Sequence, residues 1–342
     1  MSLRKLQRGK ITRHQAEAFK RAWSSPYRHT LKREVILEGV GVHSGEVTRA
    51  TLRPSHTPAG MMLNQRPLSQ WRLASSDWAT RLTLMTSIHS ASTPDLSTLE
   101  HLLAAIYGAG IDDVEIEITR AHSNESDSDQ ALIEVPILDG SALPYLEQIE
   151  PMLTGDVKHK RMFYALPDLT IQEGRCVLVS SGTPLDYTTS PLTMRLTTTL
   201  AELYPELLKG DISVTNHDDL HKPLRAQLLN TDHLIEHIAP ARTFGLRVHE
   251  SYLRSQGLIR GVSLENTLII ENNGQTSSSL RHPDELAAHK LLDTLGDLAL
   301  SGRRWRGHIE LRRGSHALNH KLLRSLETGV AHRAPAINDV RD

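Results

Sequence analysis

Two short stretches far apart in the chain hold the residue types of one metal site: Leu99-Glu100-His101 and His289-Lys290-Leu291-Leu292-Asp293. Together they offer two imidazoles and a carboxylate, with a second carboxylate, Glu100, adjacent. Three ligands plus a base is the composition of a catalytic zinc site that keeps one position open for water, and the chemistry it serves is metal-dependent hydrolysis. Cys176 is the single cysteine, so thiolates cannot supply the site and any metal must be held by His and carboxylates. The same donor set suits ferrous iron. His289 and Asp293 lie four apart and project from one helix face, and Asp297 follows four residues on. Each piece also has a plainer reading. With 19 histidines, His-x-x-x-Asp pairs arise by chance. Glu100 fits a capping box with Ser97, and His101 fits the polar edge of an apolar stripe. His316, in Gly314-Ser315-His316-Ala317-Leu318-Asn319, stands where a turn meets a helix, facing a cleft or capping the surface. Arg242-Thr243-Phe244-Gly245 and Gly41-Val42-His43-Ser44-Gly45 read first as turns.

The elements that must position these residues are visible as periodicities. Leu99, Leu102, Leu103 and Ile106 recur at i, i+3, i+4 and i+7, which predicts a helix over Ser97 to Gly110 with one buried stripe. Leu286 to Ser301 predicts a second helix, with Leu292, Leu295 and Ala299 on its buried side, and Ser315 to Leu326 a third. Leu31 to Leu52 reads as strand, tight turn, strand, and Asp113 to Ile118 alternates strictly as a strand. Pro136 to Tyr145 is turn-rich and leads into a helix. Met162 to Ser181 reads as two strands joined at Gln172-Glu173-Gly174, and a further strand lies around Gly307 to Leu311. Both halves thus run strands, His-bearing helix, alternating strand, which suggests duplicated layers facing each other. Ala121 to Gln130 is acidic and reads as a solvated loop. Leu203 to Asp232 shows no convincing periodicity.

The 342 residues suffice for two domains, with a boundary near Pro151 to Lys160. The division expected is a basic extension over 1–28, domains over 29–152 and 156–330, and a tail over 331–342. Lys and Arg total 39 against 40 Asp and Glu, which removes any electrostatic case for nucleic acid as the partner. No apolar run approaches the roughly 20 residues that span a bilayer, so a cytoplasmic protein is expected. Arg4, Lys5, Arg8, Lys10, Arg13, Lys20, Arg21 and Arg28 face the lone acid Glu17 at the N-terminus. That start reads as a mobile or weakly helical extension. Organelle targeting and loose contact with anionic lipid of the inner membrane are its alternatives.

Taken in order, the segments form a series: Gly39-Val40-Gly41-Val42-His43-Ser44-Gly45, Ser97-Thr98-Leu99-Glu100-His101, Pro136-Ile137-Leu138-Asp139-Gly140-Ser141, Ala241-Arg242-Thr243-Phe244-Gly245, His289 to Asp297, and Gly314 to Lys321. From about Thr30 to Leu326 the chain resembles the zinc-dependent UDP-3-O-acyl-N-acetylglucosamine deacetylase family of lipid A biosynthesis. The resemblance implies an α+β fold of two similar sheet/helix domains packed helix layer to helix layer, with a βαβ insert near 245–271. It implies His101, His289 and Asp293 as ligands of one Zn²⁺ and Glu100 as general base. His316 would be the cation that protonates the leaving amine, with Asp297 orienting it, and Lys290 and Thr243 would bind the oxyanion or substrate. Phe244, His43, Val42, Leu82, Val262 and Ser263 would contact a UDP-linked acylated N-acetylglucosamine. The insert would give its acyl chain a hydrophobic passage, where burial is worth about 0.8 kcal/mol per methylene. A monomer is expected.

Departures from the family bear on substrate detail. Val262 stands where the family usually has Gly in the passage, Gly110-Ile111-Asp112-Asp113 replaces an ending in Asn, and Thr188 to Leu203 lacks a His-Pro signature. The alternatives are a related amidase with a drifted substrate and a non-catalytic scaffold retaining the fold. Survival of Glu100, His101, His289, Asp293 and His316 together speaks against the scaffold.

Overall fold

The computed structural model describes residues 11–73, 85–90, 93–121, 132–185, 190–208, 217–328 and 333–334. Leu82 and the acidic stretch beyond Ala121 lie outside them. The helices that carry or buttress the site are α1 (Arg13–Ser24), α2 (Glu100–Gly108), α3 (Leu143–Gln148), α4 (Glu250–Ser255), α5 (Glu285–Ala299) and α6 (His316–Thr328).

Every residue of α2 is buried, and in α5 all but Lys290 are. This corrects the expectation of one buried stripe on each: a helix covered all round lies inside a layered core, not on its surface. The covering layers are two sheets. In the first, Val35–Val40, Val47–Pro54, Val114–Arg120, Met61–Leu63 and Arg66–Pro67 lie side by side in that order. Antiparallel register sets Leu37 opposite Ala50 and Leu52 opposite Ile116. The second contains Leu169–Glu173, Cys176–Ser181 and Arg304–Arg312 as antiparallel neighbours, and Leu192–Thr198 runs parallel to the last. One continuous apolar cluster joins Leu37, Leu52 and Ile118 of the first sheet to Leu102 and Ile106 of α2. It continues through Leu291 and Leu295 of α5 to Met194, Leu196 and Ile309 of the second sheet. The order sheet, helix, helix, sheet is the mixed α/β layering expected. Met162 to Ser181 holds a third short strand, Phe163–Ala165, before the hairpin that turns at Gly174.

The two central helices meet at Gly296. A Cβ there would lie 1.9 Å from the backbone oxygen of Glu100, so only glycine admits this approach. The contact places the first turn of α2 against the middle of α5. The expected insert is present as a parallel pair, Phe244–Leu246 with Leu268–Ile270, joined through α4. Such pairs require a crossover connection, and α4 supplies it.

Part of the basic N-terminus departs from the mobile or weakly helical reading. Helix α1 carries a complete Thr12/Gln15 capping box and buries Ala18, Phe19, Ala22 and Trp23. Trp23 Nε1 donates to Ser190 Oγ at 2.9 Å, and its ring meets Tyr107 edge-on at 5.8 Å. The charge of this segment masked an apolar stripe at i, i+1, i+4 and i+5. Phe19→Ala is expected to cost about 3–5 kcal/mol in equilibrium urea unfolding. A loss under about 1 kcal/mol would show that α1 is not part of the cooperative core.

Candidate metal centre and active site

Burial against Gly296 decides how Glu100 is used. The expected capping box with Ser97 does not form: Ser97 closes the strand Thr93–Ser97, Leu99 occupies the N-cap position, and no side chain caps the helix. A Ser-x-x-Glu pattern is local, and here the packing of α5 outweighs it. Thr98 takes a left-handed turn at φ 59° into the helix, and the Glu100 carboxylate points into a buried cleft with Oε2 3.4 Å from the Thr86 amide.

His101, from the same turn, meets His289 and Asp293 of α5. Their donor atoms all lie within 4.8 Å of one another, and all three residues are buried. The imidazoles stand edge to face with centroids 4.9 Å apart. His289 Nδ1 donates to the Ala241 carbonyl at 2.9 Å, so the lone pair of Nε2 faces inward. That nitrogen is 3.3 Å from Asp293 Oδ1, which is buried without a hydrogen-bond partner, and His101 Nε2 is 3.8 Å away. Acceptors facing each other around an orphaned carboxylate oxygen are costly unless a cation lies between them. Burial, then the neighbouring His289, drives His101 down to about 3, and burial likewise lowers His289. Both rings are therefore neutral, as ligands must be. Burial alone would raise Asp293, but His289, Lys290 and His316 outweigh it and hold the carboxylate well below its ordinary range. The donor set fits a divalent ion.

On the far side of Asp293 the Glu100 carboxylate and the His316 imidazole face each other. His316 Nε2 is 3.8 Å from both Glu100 Oε1 and Asp293 Oδ2, while its Nδ1 donates to Asp297 Oδ2 at 2.9 Å. Burial pushes Glu100 up to about 8, against the pull of His316. Burial opposes the charge on His316, but Asp297 and Asp293 overcome it and raise this imidazole to about 9. Asp297, His316 and His320 also cluster within metal-ligand range. Unlike Asp293 Oδ1, their facing atoms are hydrogen-bonded to one another and through Thr86 and Asn319.

The cleft encloses about 570 Å³. Glu100, His101, Thr243, His289, Lys290, Asp293 and His316 line it, and Asp297 stands behind His316. Val42, His43, Phe244, Val262 and Ser263 form parts of its wall, whereas Leu82 lies outside the described residues. Lys290 Nζ is 3.1 Å from Asp293 Oδ2 and 5.3 Å from the Phe244 ring centre. The Thr243 amide donates to Gly140 at 2.7 Å, and a Cβ on Gly140 would strike the Asn266 carbonyl at 1.8 Å. That close fit explains the Asp139-Gly140-Ser141 turn.

Several contributors were not singled out in the sequence. Glu134 accepts from the His43 and Ser44 amides and from Thr98 Oγ1 at 2.8 Å, holding the Gly41–Gly45 turn in the wall. Thr86 and Asn319 both bond Asp297. Asn319 stands inside the Gly314–Lys321 motif, but nothing local marks Thr86 or Glu134.

Comparison with known proteins agrees with this geometry. The family model described as LpxC, UDP-3-O-acyl N-acetylglycosamine deacetylase, matches residues 28–328. Proteins named UDP-3-O-acyl-N-acetylglucosamine deacetylase are similar over most of their length. The one from Thermosynechococcus vestitus is 34% identical, covering 84% of this chain and 90% of its own. That from Leptospira biflexa is 31% identical over 89% and 91%, and that from Geotalea uraniireducens 30% over 88% of each. With a buried His–His–Asp trio beside a Glu and a His, and a family match over nearly the whole chain, this protein belongs to the UDP-3-O-acyl N-acetylglycosamine deacetylase family and is a hydrolase.

Proposed function

We propose that the chain hydrolyses the N-acetyl group of a UDP-3-O-[(3R)-3-hydroxyacyl]-N-acetylglucosamine and releases acetate, the committed step of lipid A biosynthesis. The observation that carries this reading is the orphaned Asp293 oxygen between two inward-facing imidazoles, beside Glu100 and His316 in one cleft. His101, His289 and Asp293 would hold a divalent ion, Zn²⁺ before Fe²⁺, which would supply Lewis-acid polarisation of the carbonyl and of the attacking water. Glu100 takes the proton of the attacking water. Thr243 and Lys290 donate to the negative charge that develops on the carbonyl oxygen. His316 delivers a proton from Nε2 to the departing nitrogen, which would otherwise leave as an amide anion. Asp297 holds the Nδ1 hydrogen, so His316 presents the correct edge.

Val42, His43, Phe244, Val262 and Ser263 contact the substrate, and the insert takes its acyl chain between apolar walls that include Leu253, Ile259 and Ile269. Val262 in that wall supports an acyl-length preference of this chain's own. Residues 29–152 and 156–330 are its two domains, and the protein acts as a monomer in the cytoplasm. No helix among the described residues is long and apolar enough to cross a membrane. Mass spectrometry of the acylated UDP-N-acetylglucosamine after incubation should show loss of one acetyl group. A chelator should abolish turnover, and added Zn²⁺ should restore it. An unchanged substrate with metal-loaded protein, or full turnover in a metal-free sample, would overturn the reading.

A further inference from the structure

Behind His316 lies a chain of buried groups that the roles above do not use. Thr86 is fully buried, and its hydroxyl donates to Asp297 Oδ1. The Thr86 hydroxyl oxygen also lies 3.1 Å from Nε2 of His320, itself buried one turn along α6 from His316, and 3.2 Å from Nδ1 of His316, whose hydrogen it shares with Asp297. The other Asp297 oxygen accepts from His316 Nδ1 at 2.9 Å and from Asn319 Nδ2 at 2.8 Å. The backbone around Thr86 is pinned too, since its carbonyl accepts from the Thr98 amide at 2.9 Å.

Counting hydrogens sets the direction of every bond. A threonine hydroxyl carries one hydrogen and a carboxylate none. If Thr86 spent its hydrogen on His320, its oxygen would face Asp297 Oδ1 lone pair to lone pair. The hydrogen therefore goes to Asp297, and His320 must donate from Nε2 to Thr86. We propose that Thr86 and His320 are positioning residues for the reaction: His320 orients the Thr86 hydroxyl, Thr86 locks the Asp297 carboxylate, and Asp297 then fixes His316 with Nε2 towards the leaving group. The inference rests on His316 acting as the acid, and it adds two residues to that role.

The experiment combines kinetics with a readout that needs no substrate. Thr86→Val keeps the shape and removes the hydroxyl, and Thr86→Ser keeps the hydroxyl. Turnover of the Val variant should fall at least tenfold with KM within twofold and bound metal unchanged, while the Ser variant stays within threefold of the parent. His320→Phe, which removes the donor, should lower kcat, and His320→Gln, which keeps an N–H, should largely restore it. The Thr86→Val/His320→Phe double variant should be no slower than Thr86→Val alone, because both act through one chain. Parent-like kcat in Thr86→Val, or Ser and Val variants equally impaired, would overturn the proposal. Long-range ¹⁵N spectra of the histidines in the parent should show the hydrogen of His320 on Nε2. A hydrogen on Nδ1 instead would refute the chain even if the Val variant fails to fold, and whatever the substrate proves to be. A parent that binds metal, shows the Nε2 hydrogen and leaves the UDP-sugar intact would refute the proposed function and keep the hydrogen-bond chain.

Discussion

Glu100→Gln is expected to lower the turnover of the acetylated UDP-sugar by about 10²–10⁴-fold, the range a positioned general base contributes, while bound metal stays at the parent level. The substitution is nearly isosteric, so the close contact of α2 with Gly296 survives and the His101–His289–Asp293 trio keeps its place. What is lost is the only function that needs a carboxylate here, acceptance of a proton. Glu100 is only 3% exposed and its Oε1 lies 3.8 Å from His316 Nε2, so the proposed base and acid share one compartment. In the parent, activity should rise with pH as Glu100 loses its proton and fall again as His316 loses its own. The directions are fixed by environment: burial raises Glu100, and Asp297 with Asp293 raises His316 despite burial. The Gln variant should lose the rising limb and keep the falling one. A Gln variant with parental kcat and an intact rising limb would remove Glu100 as the base.

The cluster of His101, His289 and Asp293 beside Glu100 was legible because helical spacing is a local property. His289 and Asp293 share a face by their separation alone, and the apolar recurrence around Glu100 and His101 declared its helix. What spacing could not supply was the meeting of the two helices. That depends on Gly296, whose missing Cβ is informative only once Glu100 lies against it. The order of motifs, and hence the family resemblance, stood in for this long-range contact. Local patterns misled in two places. Ser97 and Glu100 have capping-box spacing, yet strand pairing claims Ser97 and the cleft claims Glu100. The N-terminal charge count hid Phe19 and Trp23, because net charge does not report which face of a helix is apolar. Thr86 and Glu134 escaped notice for a third reason. Thr86 acts on Asp297 and Glu134 on the Gly41–Gly45 turn, each remote in sequence, so nothing in its own neighbourhood distinguishes it.

Asp112→Asn should destabilise the fold by about 3–5 kcal/mol, the cost of breaking a buried ion pair from one side. Arg161 donates to Asp112 through Nε at 2.9 Å and Nη2 at 2.6 Å, Arg304 through Nε at 3.0 Å, and the His29 amide at 2.8 Å. Both guanidinium groups also tie down backbone carbonyls, Arg161 those of Ala22 and Gly110, Arg304 that of Tyr107. The cluster therefore sews α1, the end of α2 and the strand Arg304–Arg312 together. An amide there leaves two buried cations facing one neutral group. Acid should act in two stages. His29 is driven down to about 4 by burial and then by Arg161, so the stability linked to its neutral form is complete above pH 6.5 and drains away towards 4. Burial alone would raise Asp112, but Arg161 and Arg304 hold it at about 2, so its contribution is complete above its unfolded value near 4 and is lost as pH falls through 2. Urea unfolding at pH 7, 5 and 3 should show both stages in the parent and no Asp112 stage in the Asn variant. An Asn variant within 1 kcal/mol of the parent at pH 7 would mean that the two arginines find other acceptors, and the cluster would then not be what holds the halves of the molecule in register.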